Sequence, residues 1–380
     1  MLLCACAVGS LLLAAGYVLF LESVRKTWRR MPVWEAPFDF QPSVRISIVI
    51  AARNEAATIV ACVRAVLACD YPASLREVIV ADDYSEDATA GCVAELVAAF
   101  PGEVRLLRLS EVQPPAPPGK KSALTQAIAL AGGELIVTTD ADCYVPPCWL
   151  QLLAAAYEIR RPSAIVAPVV LGGPNHWWAH FQALDVAATM GITGAAINSG
   201  WFSMGNGANL CYPKAVFERV GGFAGNEHRA SGDDMFLLAK LPVKEVFFLK
   251  NADAAVQTLP CPTVMAFFHQ RLRWGTKNTG WTNQRLKSAL ALLWALPFAA
   301  VLGAVLAFWY PPLGGIALLL FGAKAWADRR LLREMTAFFR QEEALRYFWP
   351  ALAIHFIYLT VVGLAALVVR RYRWKGRRWR

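Results

Sequence analysis

The stretch that most constrains the fold is Leu135–Cys143, LIVTTDADC. Five apolar and β-branched residues run into Asp140-Ala141-Asp142, the pattern of a buried strand ending in two carboxylates. Side chains two apart on a strand share a face, so Asp140 and Asp142 point the same way. Two carboxylates at a strand's carboxyl end suit a divalent cation that carries the phosphates of a nucleotide. A D-x-D by itself is a weak motif, and the neighbouring stretches must supply its context.

They do so in order. Arg45–Ala51 (RISIVIA) reads as a central strand with Arg53-Asn54-Glu55 at its end and a helical pattern through Leu67. Glu77–Ala81 reads as a second strand ending in Asp82-Asp83, with Ser85 and Asp87 opening the next helix, and Val104–Leu109 as a third. A proline-rich loop, Pro114–Gly119, delivers Lys120 and Lys121 to a helix running to Ala131, and the strand to Asp140 follows. Strands alternating with helices of this length predict an α/β domain built on a mostly parallel, doubly wound sheet. Ligands of such sheets collect at the strands' carboxyl ends, where Glu55, Asp83, Asp140 and Asp142 all fall.

Further along, Ala164–Val170 reads as another strand. His176–Met190 (HWWAHFQALDVAATM) carries an aromatic face that suits either a membrane interface or core packing. Gly205–Tyr212 (GNGANLCY) is a glycine-rich turn entering a strand, and Lys214–Phe223 a short helix with a glycine stop. In Ser231–Lys240 (SGDDMFLLAK), Asp233 and Asp234 open a helix, where the macrodipole favours carboxylates. A structural cap explains one of that pair more readily than both. Thr263–Lys277 reads as an amphipathic helix carrying Gln270-Arg271-Leu272-Arg273-Trp274.

The 380 residues are 57% hydrophobic and 17% charged, more apolar than an ordinary soluble enzyme. The excess sits at the ends. Leu2–Leu21 is a run of apolar residues followed by Arg25, Lys26, Arg29 and Arg30, and reads as a retained membrane helix rather than a cleaved signal peptide. The positive-inside rule then places the amino terminus outside and residue 25 onward in the cytoplasm. Residues 31–43, rich in proline and aromatics, read as a linker along the membrane. Ala289–Tyr310 and Tyr347–Val369 are long enough to span a bilayer, and Leu313–Ala327 is marginal. Three crossings would put the basic tail outside, against the positive-inside rule, whereas two plus an interfacial or re-entrant piece keep it inside. The formal charge of +10 crowds beside the apolar segments, which fits an anionic membrane surface and not nucleic acid. Nine cysteines without C-x-x-C spacing support neither a zinc site nor a disulfide framework. No G-x-G-x-x-G follows the first strand, which excludes a dinucleotide-binding dehydrogenase.

Taken together, residues 44–280 resemble the family 2 glycosyltransferases, inverting enzymes of GT-A (Rossmann-like) fold, and among them the membrane branch with cellulose and hyaluronan synthases and ceramide glucosyltransferases. The resemblance rests on ARNE at 52–55, ADDYSED at 81–87, KKSAL at 120–124, DAD at 140–142, GDD at 232–234 and QRLRW at 270–274, in that order. It implies an N-terminal membrane helix over 1–22, a GT-A domain over 44–280, membrane or interfacial helices over 289–369 and a basic tail over 370–380. It also implies roles. Glu55 and Asp83 would hold the uridine with Arg53 nearby, and Lys121 (or Lys120) would reach the nucleotide. Asp140 and Asp142 would bind the sugar-nucleotide and its metal, Mg2+ or Mn2+. Asp234 would be the general base, with Asp233 in place of the family's usual glutamate. Gln270, Arg273 and Trp274 would line the acceptor and diphosphate end, although Trp274 also suits core packing.

The chemistry follows from the residues as well. A departing nucleoside diphosphate needs its developing charge neutralised, by a divalent ion and an arginine. The attacking hydroxyl needs an ionised carboxylate to take its proton. The expected enzyme is a multi-pass protein of the inner (plasma) membrane with a cytoplasmic catalytic domain. It would move a sugar from a UDP-sugar, with inversion, to a lipid or lipid-linked glycan. A processive polysaccharide synthase is the alternative within enzymes. A non-catalytic membrane scaffold would not need the carboxylates, and all of them are present. The short carboxyl-terminal membrane region favours single transfer over polymer secretion.

Overall fold

The computed structural model describes residues 1–173, 175–225, 232–275, 283–369, 372–374 and 377–379. Ser231, Thr276, Lys277 and part of the basic tail therefore lie outside the described residues. The chain divides into two compact units: a helical unit of residues 1–31, 173–202 and 260–372, and a sheet unit of residues 32–172, 203–259 and 373–380.

In chain order the elements open with helix α1 (Leu2–Arg30), strand β1 (Ile46–Ala52), α2 (Ile59–Leu67), β2 (Arg76–Asp82), α3 (Thr89–Ala99) and β3 (Val104–Arg108). There follow α4 (Lys120–Leu130), β4 (Leu135–Asp140), α5 (Trp149–Arg160), β5 (Ala164–Val166), β6 (Val169–Leu171) and α6 (Trp177–Asn198). Then come β7 (Leu210–Pro213), α7 (Lys214–Arg219), α8 (Asp233–Leu238), β8 (Val246–Phe248), β9 (Val256–Thr258) and α9 (Val264–Gly275). Three long helices, α10 (Gln284–Leu306), α11 (Pro312–Phe338) and α12 (Phe348–Val368), complete the helical part.

The large sheet of the sheet unit has seven strands in the order β3-β2-β1-β4-β7-β5-β8. Strands β1 to β4 pair parallel, as their alternation with helices predicts. Strand β7 enters antiparallel between β4 and β5. The central strands are buried along both faces, so Ile46–Ala52 and Leu135–Thr139 are nearly continuous apolar runs. Ala51 lies opposite both Ala81 and Asp140, which levels the carboxyl ends of β1, β2 and β4. Asn54 (φ 52°) and Tyr84 (φ 55°) then turn the chain sharply after β1 and β2.

Two expectations are corrected here. Ala164–Val170 is not one strand: β5 joins the large sheet and β6 pairs with β9 instead. Pro168, which has no N–H to give a ladder, separates them, and its carbonyl accepts from Asn209 and Val256. Residues 31–43, expected as a linker along the membrane, are held within the sheet unit from Trp34 onward. Trp34 packs edge-on against Phe247 and under the Arg160 guanidinium, and the Ser43 and Val44 N–H groups both donate to Glu158.

In the helical unit, the helices at 3–30, 284–306 and 342–368 are long and apolar enough to cross a membrane. Leu12, Leu19, Leu302 and Leu367 are among the large apolar side chains they leave exposed. Helix α11 runs well beyond the expected Ala327. Its second half is charged and pairs with α1: Tyr17 with Asp328, Glu22 with Arg330, and Arg25 with Glu334. Because the partners advance together along both helices, α1 and α11 run in the same direction. Helix α10 runs the opposite way, with Gly303 against Ala317 and Gly314 against Ala307.

Candidate active site

The site grows from the levelled strand ends of the sheet unit. After β2, Asp83 is buried, and its Oδ1 accepts from the Gly119 N–H at 2.9 Å. Gly119 takes φ 136°, a conformation open to glycine, and so begins α4 at that carboxylate. The next residue, Lys120, reaches across to the end of β4. Its Nζ lies 2.6 Å from Asp140 Oδ1 and 3.4 Å from Asp233 Oδ2. Burial works against the charged ammonium, but Asp140 and then Asp233 outweigh it and hold the lysine above its ordinary pKa. Lys120 is therefore a fixed cation between two carboxylates that stand far apart in the sequence.

Asp233 and Asp234 are both buried at the first turn of α8. Asp234 Oδ2 accepts from the Gly207 N–H at 3.2 Å, and its Oδ1 from the Met235 N–H at 2.6 Å. Gly207 passes so close that a Cβ there would lie 2.7 Å from Asp233 Oδ2. Its segment is pinned from below. Thr138 Oγ1 donates to the Gly207 carbonyl, and the buried Asn209 bonds Trp149 and the carbonyls of Pro168 and Ala254. The glycine-rich turn GNGANLCY is thus the wall against which the α8 carboxylates rest.

The remaining expected residues divide between the two units. The Arg53 guanidinium donates to the carbonyls of Asp83 and Tyr84 and pairs with Glu86 at 2.8 Å, tying the β1 turn to the β2 turn. Glu55 follows it, with Oε2 accepting from Thr58 Oγ1. Lys121, favoured over Lys120 by the sequence reading, is buried with its ammonium 4.9 Å from the centre of the Phe236 ring. Lys120 is the one that bridges the carboxylates. Gln270, Arg273 and Trp274 lie on α9 in the helical unit, where Gln270 Oε1 accepts from Arg271 and the Trp274 ring lies under the Arg271 guanidinium.

Asp140, Asp142 and Cys143 each offer one ligand atom, all within 4.8 Å of one another. Burial, with Asp140 and Asp142 beside it, pushes the Cys143 thiol well up, and burial pushes Cys62 up to about 12. Both thiols stay protonated and unreactive at neutral pH. The two carboxylates form the part of this set that suits a hard cation such as Mg2+ or Mn2+.

A family model described as glycosyl transferase family 2 matches residues 47–221, and one described as glycosyl transferase family group 2 matches residues 135–367. The chain belongs to glycosyl transferase family group 2. Its similar relatives include a beta-monoglucosyldiacylglycerol synthase of Synechocystis sp., 26% identical over 316 residues, covering 78% of this chain and 64% of that protein. A probable glycosyltransferase of Bacillus subtilis, YdaM, is 24% identical over 256 residues, covering 66% of this family member and 58% of the other. The chain thus spans less than two thirds of the length of these curated relatives. Among solved structures, a mannosyltransferase from Pyrobaculum calidifontis in complex with GDP-Man and Mn2+ aligns with a TM-score of 0.61 at 19% identity. That alignment covers 96% of this chain and 99% of the other, and the shared fold is GT-A, as the sequence implies.

Proposed function

We propose that this family member is a membrane-bound glycosyltransferase that moves a single sugar from a nucleotide-sugar, with inversion, to a lipid or lipid-linked acceptor. The observation that carries the reading is the convergence on Lys120 of Asp140, from the D-A-D stretch, and Asp233, from the G-D-D stretch. In this reading it joins the donor-binding stretch at the carboxyl end of β4 to the base-bearing start of α8. The lipid acceptor is supported by the likeness to a diacylglycerol glucosylating relative and by the three apolar helices. A UDP-sugar is the donor we favour.

In this reading Glu55, Asp83 and Arg53 shape the nucleoside end, with Lys121 behind them and Lys120 at the phosphates. Asp140 and Asp142 would hold Mg2+ or Mn2+, which neutralises charge on the leaving diphosphate when bound. Asp234 is the general base and takes the proton of the acceptor hydroxyl. The acceptor oxygen bonds the anomeric carbon from the face opposite the diphosphate, whose C–O bond breaks with its electron pair leaving on the nucleotide. Asp233, paired with Lys120, keeps a negative charge beside the base without competing for that proton. Gln270, Arg273 and Trp274 we assign to the acceptor and diphosphate side, following the Q-x-x-R-W motif.

We place the sheet unit in the cytoplasm of a multi-pass plasma-membrane protein. The basic residues ending α1 support that side. Product analysis tests the function: a labelled lipid carrying one β-linked sugar is expected from an α-linked donor. An α-linked product, or a ladder of polymer lengths, would refute single inverting transfer.

A further inference from the structure

Among the described residues of the helical unit is an ionised cluster, centred on Asp185, that the transfer chemistry above leaves unused. Asp185 stands alone as an acid in the apolar helix α6, half-buried, with 12% of its side chain exposed. Both of its oxygens are engaged. Arg271 Nη2 donates to Oδ2 at 2.5 Å, Tyr358 OH donates to Oδ1 at 2.5 Å, and His355 Nε2 lies 3.5 Å from Oδ1. Burial works to raise this carboxyl, but Arg271, with His355 and Tyr358, overrides it and holds the group below the usual carboxylate range. One carboxylate thus joins α6, α9 and α12.

Arg271 in turn fixes its neighbours on α9. Its guanidinium, buried to 6% exposure, lies 4.2 Å from the Trp274 ring centre and 4.5 Å from that of Phe267. Its Nη1 donates to Gln270 Oε1 at 2.8 Å. An arginine can only donate, so the Gln270 amide must present its oxygen to Arg271 and aim both Nε2 hydrogens elsewhere. Two N–H donors held in this way suit an oxygen-rich ligand, a phosphate or a sugar hydroxyl. Gln270, Arg273 and Trp274 share one face of α9, being three and four residues apart. Arg271 lies off that face, turned toward Asp185.

We infer that Asp185 is a positioning residue for the acceptor and diphosphate side, setting the Gln270 amide and the Trp274 ring through Arg271. The inference rests on the transfer function proposed above. A single substitution at Asp185 releases the guanidinium, and with it the orientation of two side chains on the working face. A displacement of about 1 Å in such a face costs on the order of a hundredfold in rate.

The test uses the full-length protein in nanodiscs, with Asp185→Asn, Arg271→Gln, the double variant and Asp185→Glu. Turnover is followed as lipid-dependent nucleoside diphosphate release, and Mn2+ binding by electron paramagnetic resonance. We expect Asp185→Asn and Arg271→Gln each to lower kcat by about a hundredfold. The double variant should match either single one, because both break the same linkage. Asp185→Glu should recover part of the rate, and Mn2+ affinity should be native in all four, since Asp140 and Asp142 lie in the sheet unit. Native kcat in Asp185→Asn, or losses that multiply in the double variant, would overturn the inference. So would a loss of Mn2+ binding in step with turnover, which would make Asp185 a folding residue only. A native protein with no lipid-dependent release would instead sink the transfer function itself, and this inference with it.

Discussion

Gly207 offers the sharpest test of the site's geometry. A methyl group added there would stand 2.7 Å from Asp233 Oδ2 and 3.2 Å from Lys120 Nζ. Carbon and oxygen approach comfortably to about 3.3 Å, so the carboxylate must retreat by roughly 0.6 Å (3.3 minus 2.7). Asp233 is buried and its pairing with Lys120 is already 3.4 Å, so the retreat stretches that contact to about 4 Å. A carboxylate can rotate, which puts the stability cost near the low end for overpacking, about 1 kcal/mol, or ~2–4 °C in melting temperature for a unit of this size. The catalytic cost is larger, because displacing a group in the reacting face loses about 10–100-fold. Gly207→Ala should therefore melt almost like the native protein and turn over far more slowly, read as kcat beside a melting curve in the same detergent. Native kcat in Gly207→Ala, or a loss wholly explained by unfolding, would refute the placement of Asp233 in the site.

The remaining predictions follow from charge. Lys120→Met removes the ammonium that competes for Asp140. A unit charge at about 4 Å is worth ~4 kcal/mol at an effective dielectric of 20, and partial exposure cuts this to ~1–2. Mn2+ affinity should thus rise about tenfold while transfer falls, both readable by titration and turnover; unchanged affinity would contradict the bridge. Glu77, buried at the foot of β2, accepts from Ser47 Oγ and the Gly132 N–H, each at 2.6 Å. Burial pushes its pKa up, but these bonds, with Arg45 and Arg105, leave it lowered overall. A lowered folded pKa contributes stability that is present above about pH 4.3 and lost as pH falls through the folded value. Glu77→Gln should cost about 1–2 kcal/mol at pH 7 and progressively less in acid, checked by denaturant midpoints from pH 7 downward.

Much of this was legible before the structure. The parallel strands declared themselves because both of their faces are buried, which leaves apolar β-branched runs, and the carboxylates declared themselves by following those runs. What stayed hidden depends on contacts across the chain. Lys120 and Lys121 are adjacent, and a helix turns them about 100° apart. The placement of Phe236 beside Lys121, more than a hundred residues along the chain, helps decide which lysine faces the acids. Helix α11 read as a marginal membrane piece because its charged half is stabilised by Glu22 and Arg25 of α1, some three hundred residues earlier in the chain. The break at Pro168 was signalled by the proline itself and passed over. Asp185 and Arg271 were missed although one signal was available: a single acid in the apolar run HFQALDVAATM is costly unless something far away pairs with it.

The most direct test of the central claim is nucleoside diphosphate release by the full-length protein in nanodiscs with Mn2+ or Mg2+, across UDP- and GDP-sugars, with total membrane lipid as acceptor. Asp140→Ala and Asp234→Asn run beside the native protein. The account predicts lipid-dependent release from one donor, abolished in both variants. Release from no donor, or release that survives in both variants, would contradict it.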